Sequence, residues 1–215
     1  MSPTIDELTV ADEGAAWSAI GFEVDGGTCV VGDVRIRLAG PDAGRGLAGW
    51  SLREVEGGDL DGLATARSER EPPGEPPSER PAHPNGVVAL DHVVVISPAL
   101  DRTVAVLEGA GLDLRRIREQ PTPAGAPRQA FLRLGDTLLE VVQEPAEATA
   151  RAGGDRPAFF WGLAFLAPDL EATIAGLGDR VGEIRPAVQP GRRIATLRRS
   201  AGLSLPVAIM SPQAT

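Results

Sequence analysis

The sequence predicts an α+β fold assembled from repeated β-α-β-β-β modules. Two observations carry the prediction. Residues 90–107, LDHVVVISPALDRTVAVL, read as an apolar strand, a Ser-Pro stop and a helix, and residues 161–177, WGLAFLAPDLEATIAGL, repeat that pattern. Setting Pro98 on Pro168 places Leu100 on Leu170, Thr103 on Thr173 and Leu107 on Leu177. Further on, residues 135–145, GDTLLEVVQEP, align without gaps on residues 202–212, GLSLPVAIMSP. A repeat of this kind fixes the architecture before any local reading, because each copy must form one supersecondary unit. In the first register His92 falls on Gly162.

Each element has its own signal. Residues 5–10 read as a strand and 11–20 as a helix, with Asp12 as N-cap and Gly21 as its stop. Residues 22–24 read as a second strand, turned by Asp25-Gly26-Gly27. Strands at 29–31 and 34–38 flank the Gly32-Asp33 turn. In the second of these, Val34, Ile36 and Leu38 alternate with Arg35 and Arg37, as in a half-buried strand. Residues 47–55, with Trp50, form another strand, and 59–63 begin a helix-like turn. Residues 67–86, RSEREPPGEPPSERPAHPNG, are a stiff proline-rich linker that lacks the apolar surface to order itself, and His83 within it is expected to face solvent.

The best-defined module follows: a strand at 88–96, a helix at 100–110 ended by Gly111, a strand at 112–118 and a hairpin of 128–134 with 137–143 around Gly135-Asp136. Residues 159–167, 170–177, 181–184, 193–198 and 205–210 repeat it. The domains expected are an N-terminal half-module at 1–66, the linker at 67–86, and a paired-module domain at 87–213 with modules 87–145 and 158–213. The lone half-module must bury its sheet on the main domain or on a second chain, and a homodimer is the prediction.

Composition narrows the function. The 215-residue chain carries a net charge of −9, and phosphate-backbone binding relies on clustered Lys and Arg. Tyr is absent and aromatics make up 4% of the chain, which argues against a base-stacking platform. A nucleic-acid partner is therefore not expected. The start, MSPTIDELTV, lacks the charged and apolar regions of a signal peptide. No apolar run approaches the ~18 residues of a membrane span. The expectation is a cytoplasmic protein without a membrane partner. Cys29, the single cysteine, sits in the apolar TCVV and reads as an inert core thiol. Trp17 and Trp50 read as core residues.

Paired β-α-β-β-β modules with a first strand LDHVVV, a Pro-x-Leu-Asp helix start and a fourth strand LLEVV resemble the vicinal oxygen chelate superfamily. That is the glyoxalase, bleomycin-resistance and ring-cleaving dioxygenase group. The resemblance covers 87–212 well and the N-terminal residues weakly. It implies a cupped half-barrel that binds a small molecule. It also implies a divalent metal held by His, Glu or Gln from the first and fourth strands of each module. By position, His92 and Glu140 match the ligands of the first module, and zinc, nickel, manganese or iron suits such donors. The matching positions in the second module are Gly162 and Val207, and neither can ligate a metal. Three outcomes stay open: a metal enzyme of lyase, isomerase or dioxygenase type completed by a third ligand, a metal-free enzyme with Glu140 as general base, and a non-catalytic binding or antibiotic-sequestering protein. Asp91 alternates with His92 and should face away from it.

Other ligand-binding candidates follow from the residues themselves. Arg128 and Arg193 occupy similar places at the start of the third strand of each module, and either can pair with an acidic ligand or face solvent. Gln129 must point to the opposite face from Arg128. Trp161, with Phe159 and Phe160, forms an aromatic patch that serves either packing or ligand contact.

Overall fold

The computed structural model of the chain describes residues 3–71, 82–122 and 125–213. The middle of the proline-rich linker, residues 72–81, lies outside them, as do residues 123–124 of the 119–127 loop. The order of elements opens with β1 (Thr4–Val10), α1 (Gly14–Ala19), β2 (Thr28–Val31), β3 (Val34–Leu38), β4 (Leu47–Arg53), β5 (Gly58–Leu60) and β6 (Leu63–Arg67). It continues with β7 (Ala89–Ser97), α2 (Leu100–Gly109), β8 (Asp113–Arg118), β9 (Gln129–Leu134), β10 (Thr137–Gln143) and α3 (Ala146–Arg151). The last elements are β11 (Phe159–Leu166), α4 (Leu170–Leu177), β12 (Arg185–Pro186), β13 (Arg193–Thr196) and β14 (Val207–Met210).

The chain divides into two compact units. One comprises residues 1–6, 49–70 and 92–161, and the other residues 7–48, 71–91 and 162–215. The first unit contains a complete module. There β7 runs parallel to β10, β10 pairs antiparallel with β9, and β9 pairs antiparallel with β8. Helix α2 buries Leu100, Val104 and Leu107 on one face of these strands. Its Thr103 hydroxyl hydrogen-bonds the Ser97 hydroxyl of β7 at 2.6 Å, which marks the odd-numbered side of β7 as the helix side. The second unit repeats the arrangement: β11 is parallel to β14, and β13 pairs antiparallel with β14 and with β12. Helix α4 starts at Asp169, whose side chain caps the Ala172 N–H at 2.9 Å.

Residues 4–67 contribute a three-stranded version of the same closure to each unit. Strand β1 is parallel to β3, with β2 antiparallel to β3, and β4 is parallel to β6, with β5 antiparallel to β6. The helix-like start expected at 59–63 is instead the β5–β6 hairpin. Asp61 and Gly62 both take positive φ, 55° and 90°, as a two-residue type I′ turn requires. Gly62 is confined by its surroundings as well. A Cβ there would lie 2.4 Å from the Ala158 carbonyl and 2.5 Å from Pro157 Cβ. Asp61 fastens the hairpin to α2 by accepting hydrogen bonds from Arg102 Nε at 3.0 Å and Thr103 Oγ1 at 2.5 Å.

Three further expectations, two in the N-terminal residues and one in the linker, are corrected. Glu13, not Asp12, holds the N-cap position of α1, because the Asp12 carboxylate is taken by Trp17 Nε1 at 3.0 Å. Residues 22–24 form no strand. His83 is buried rather than solvated. Its Nδ1 accepts the Glu23 N–H at 3.1 Å and its ring lies 5.1 Å from that of Phe22. Burial pushes its pKa down. The Pro84-Asn85-Gly86 turn brings it there, with His83 N–H bonded to the Val87 carbonyl and Gly86 N–H to the His83 carbonyl. Trp17 and Trp50 are core residues, and Cys29 is fully buried, with its thiol pushed up to about 12 by desolvation.

Candidate functional site

The candidate site lies on the first complete module, on the face away from α2. Side chains alternate along each strand, and residues directly opposite on neighbouring strands share a face. In β7 this puts His92, Val94 and Ile96 on one side, with Val93, Val95 and Ser97 on the other. Register carries that face across the sheet. His92 is opposite Leu138 and Val94 is opposite Glu140 in the parallel β7–β10 pair. Glu140 is then opposite Phe131 and Val142 opposite Gln129 in the β10–β9 pair. Finally, Phe131 is opposite Arg116 and Gln129 opposite Arg118 in the β9–β8 pair.

Four polar groups form a chain across this face. His92 Nε2 lies 3.4 Å from Glu140 Oε2, with the two side chains 13% and 15% exposed. Gln129 donates its amide N–H to Glu140 Oε1, and Arg118 donates to Gln129 Oε1 at 3.2 Å. The neighbours are Val94, Ile96, Phe131, Leu138 and Val142. A carboxylate at such a place is costly to bury alone. The amide and the imidazole offset that cost while leaving Glu140 accessible enough to meet a ligand. Such a group can accept a proton from a bound molecule or pair with a bound cation.

The second module carries no equivalent pair, and its register corrects one expectation. The gapless alignment sets Val207 against Glu140. In the structure Leu163 pairs with Val207, whereas Val93 pairs with Leu139. With Gly162 matching His92, the counterpart of Glu140 is therefore Ala208, and Val207 takes the place of Leu139. The shift arises before the strand. Gly135 opens a two-residue turn into β10, whereas Gly202 ends a 3-10 turn at Arg199–Ala201 and β14 begins only at Val207. Gly162 admits no side chain: a Cβ there would lie 2.5 Å from the Pro206 carbonyl oxygen.

These residues do not fit a catalytic metal. Zinc in such a site takes three protein ligands, and His92 and Glu140 supply two. Gln129 does not complete the set, because its N–H end faces Glu140 and its carbonyl oxygen accepts from Arg118. Among the described residues no group of three His, Cys, Asp or Glu side chains is arranged to hold a metal ion.

The remaining candidates lie elsewhere. Arg128 is held by Glu119 at 2.8 Å and by Asp101 of α2 at 3.0 Å, and these carboxylates raise its pKa. Arg193 forms a two-point ion pair with Glu171 of α4, which lowers the Glu171 pKa. Both arginines thus bond to acidic residues of the helices. Trp161 is 46% exposed and alternates with Gly162 along β11. Asp91 accepts from Arg192 at 2.5 Å in the second unit. Sequence reading did not single out Gln129 or Arg118. The available signal was the alternation that turns Gln129 away from Arg128. Its tie to Glu140 depends on the β9–β10 register, which residue types alone do not disclose.

No protein-family profile matches the sequence, and no curated protein matches it. Solved structures do match. Methylmalonyl-CoA epimerase from Mycobacterium tuberculosis is 18% identical, with a TM-score of 0.50 over 60% of this chain and 91% of the epimerase chain. A xylose isomerase-like TIM barrel/4-hydroxyphenylpyruvate dioxygenase fusion protein is 14% identical, with a TM-score of 0.65 over 99% of this chain. The chain spans about half (49%) of the fusion protein's length. At these identities the likeness is one of fold. Among the described residues no helix is long and apolar enough to cross a membrane.

Proposed function

The chain has the fold of the vicinal oxygen chelate superfamily, and from that premise we propose that it binds a small molecule on the His92–Glu140 face of its first complete module. There Glu140 acts as a metal-independent proton acceptor. The observation that carries this reading is the Glu140 carboxylate itself. It is 15% exposed, fixed by the Gln129 amide and 3.4 Å from His92 Nε2, in a strand where Leu138 and Val142 flank it on the same face and Val94 stands opposite. A bound ligand that displaces water there strengthens each electrostatic contact. His92 Nε2, 3.4 Å from Oε2, orients the carboxylate. Gln129 occupies Oε1, so the proton of the reacting C–H or O–H is accepted at Oε2, beside the imidazole.

The test is proton exchange. A panel of small carbonyl compounds with an acidic neighbouring C–H is incubated with the protein in D2O and followed by NMR. Wild-type protein should catalyse exchange at one such carbon, and Glu140→Gln should lower the rate by about 100-fold or more, the usual contribution of a general base. Ligand binding without exchange would reduce the protein to a sequestering role. Exchange that survives Glu140→Gln would remove Glu140 from the chemistry.

A further inference from the structure

We infer that the ligand of this face is a small organic carboxylate, gripped by the Arg116 guanidinium. This rests on the reading that the His92–Glu140 face is the binding site, and it names the ligand class. Within this unit Arg53, Arg67, Arg102, Arg115, Arg128 and Arg156 each pair with a carboxylate, whereas Arg133 and Arg151 bond backbone carbonyls. Arg116 and Arg118 have no carboxylate partner among the described residues, and both lie on the face that carries Glu140.

Their placement depends on a local device. Strand β8 has a bulge between Leu114 and Arg116, so that Arg116 stands opposite Phe131. Arg115 is left as the extra residue and pairs with Asp113 at 3.0 Å. Without the bulge, Arg115 would occupy that position. Bulges re-aim side chains in this way and are common beside functional sites. The Arg116 guanidinium carbon then lies 5.1 Å from the centroid of the Phe131 ring. Stacking holds the fork in place and leaves its N–H donors directed at whatever binds.

The ligand class follows. Arg118 already spends one N–H on Gln129, and Arg133, opposite Leu138 on the same face, spends its Nε–H on the Gly135 carbonyl, so one complete fork remains, that of Arg116. One planar fork matches one carboxylate by two parallel hydrogen bonds. The apolar side chains Val94, Ile96, Leu138 and Val142 suit a hydrocarbon body. A monoanion with an apolar body places its charge on Arg116 and its remainder across the face toward Glu140.

The experiment uses phenylacetate, its neutral amide phenylacetamide, and phenyl phosphate as a competing type of anion. Binding is read from the His92 imidazole NMR signal. The chain has two histidines, so His83→Gln identifies which signal belongs to His92. Phenylacetate should shift the His92 signal with a Kd about 10-fold or more below that of the amide, and below that of phenyl phosphate. Arg116→Gln should bring acid and amide to within about 3-fold, whereas Arg115→Gln should leave the preference intact. Equal binding of acid and amide at the His92 signal overturns the carboxylate assignment and leaves the site reading standing, as does tighter binding of phenyl phosphate. Failure of every probe to move the His92 signal overturns both.

Discussion

One methyl group at position 162 should destabilise the protein, and the same methyl group at position 176 should stabilise it. A Cβ built at Gly162 would meet the Pro206 carbonyl oxygen at 2.5 Å and Pro206 Cβ at 3.2 Å, where ordinary contact begins near 3.4 Å. The obstacle is backbone, and it cannot rotate away. That same carbonyl accepts the Leu163 N–H at 3.1 Å, so relieving the clash strains the first hydrogen bond between β11 and β14. Overpacking of this kind costs about 1–3 kcal/mol. The smaller unfolded-state entropy of Ala returns roughly 0.4–1 kcal/mol. Strain on the ladder bond adds up to about 1 kcal/mol on the other side, so the mid-values leave a net loss of about 2 kcal/mol. For a chain of this size that is a fall in Tm of about 4–8 °C. Gly176 lies in α4 with open space around its Cβ position, and Ala there should gain up to about 1 kcal/mol from helix propensity. Both variants are read by thermal and urea unfolding. A Gly162→Ala protein as stable as wild type, beside a stabilised Gly176→Ala control, would refute the packing argument. It would also reopen position 162 to a metal-binding side chain.

Other predictions concern buried polar groups. Asp6→Ala should cost about 3–5 kcal/mol in urea unfolding, because it leaves Arg53, itself 8% exposed, without the carboxylate it is bonded to; a loss below about 1 kcal/mol would show that Arg53 is satisfied by the Ile5 and Arg70 carbonyls it also contacts. Burial lowers the His83 pKa below its ordinary 6.5, so the unfolded chain binds that proton more tightly. The contribution of His83 is therefore complete above about pH 6.5 and is lost as the pH falls from there through the lowered folded value, with a slope of at most about 1.4 kcal/mol per pH unit. His83→Gln should flatten this part of the stability profile, and an unchanged slope would place its origin elsewhere. Gln129→Leu should cost about 1–3 kcal/mol by leaving a Glu140 oxygen without its donor, and an unaltered midpoint in urea would show that Glu140 is held by other means.

The fold was legible because its signals are local and repeated. The Ser-Pro stop, the leucines on the helix face and the Gly-Asp turn each act over a few residues, and they recur in order. Register was less legible. Strand β14 is apolar on both sides, with Val207, Ile209 and Met210 all buried, so hydrophobicity gives it no phase, and a gapless match to LLEVV set Val207 where Ala208 belongs. His83 was misread for a different reason. Composition describes residues 67–86 as a whole, whereas the Pro84-Asn85-Gly86 turn and the Phe22 ring act on one residue at the end of that stretch. Of the site, His92 and Glu140 were visible as polar residues in apolar strands. Arg118, Gln129 and the bulge that turns Arg116 were not, because each depends on which residues stand opposite across β8, β9 and β10. Arg128 and Arg193 stood out by position, yet helix carboxylates engage both.

Glu140 is proposed to work with His92 and Gln129 and without a metal. The most direct measurement is the proton-exchange rate of wild-type protein after exhaustive chelation, with metal content determined on the same sample. The rate should be unchanged by chelation, should not rise on adding zinc, nickel, manganese or iron, and should be lost in Glu140→Gln. A rate that disappears on chelation and returns with one of these metals, in proportion to metal bound, would contradict that proposal.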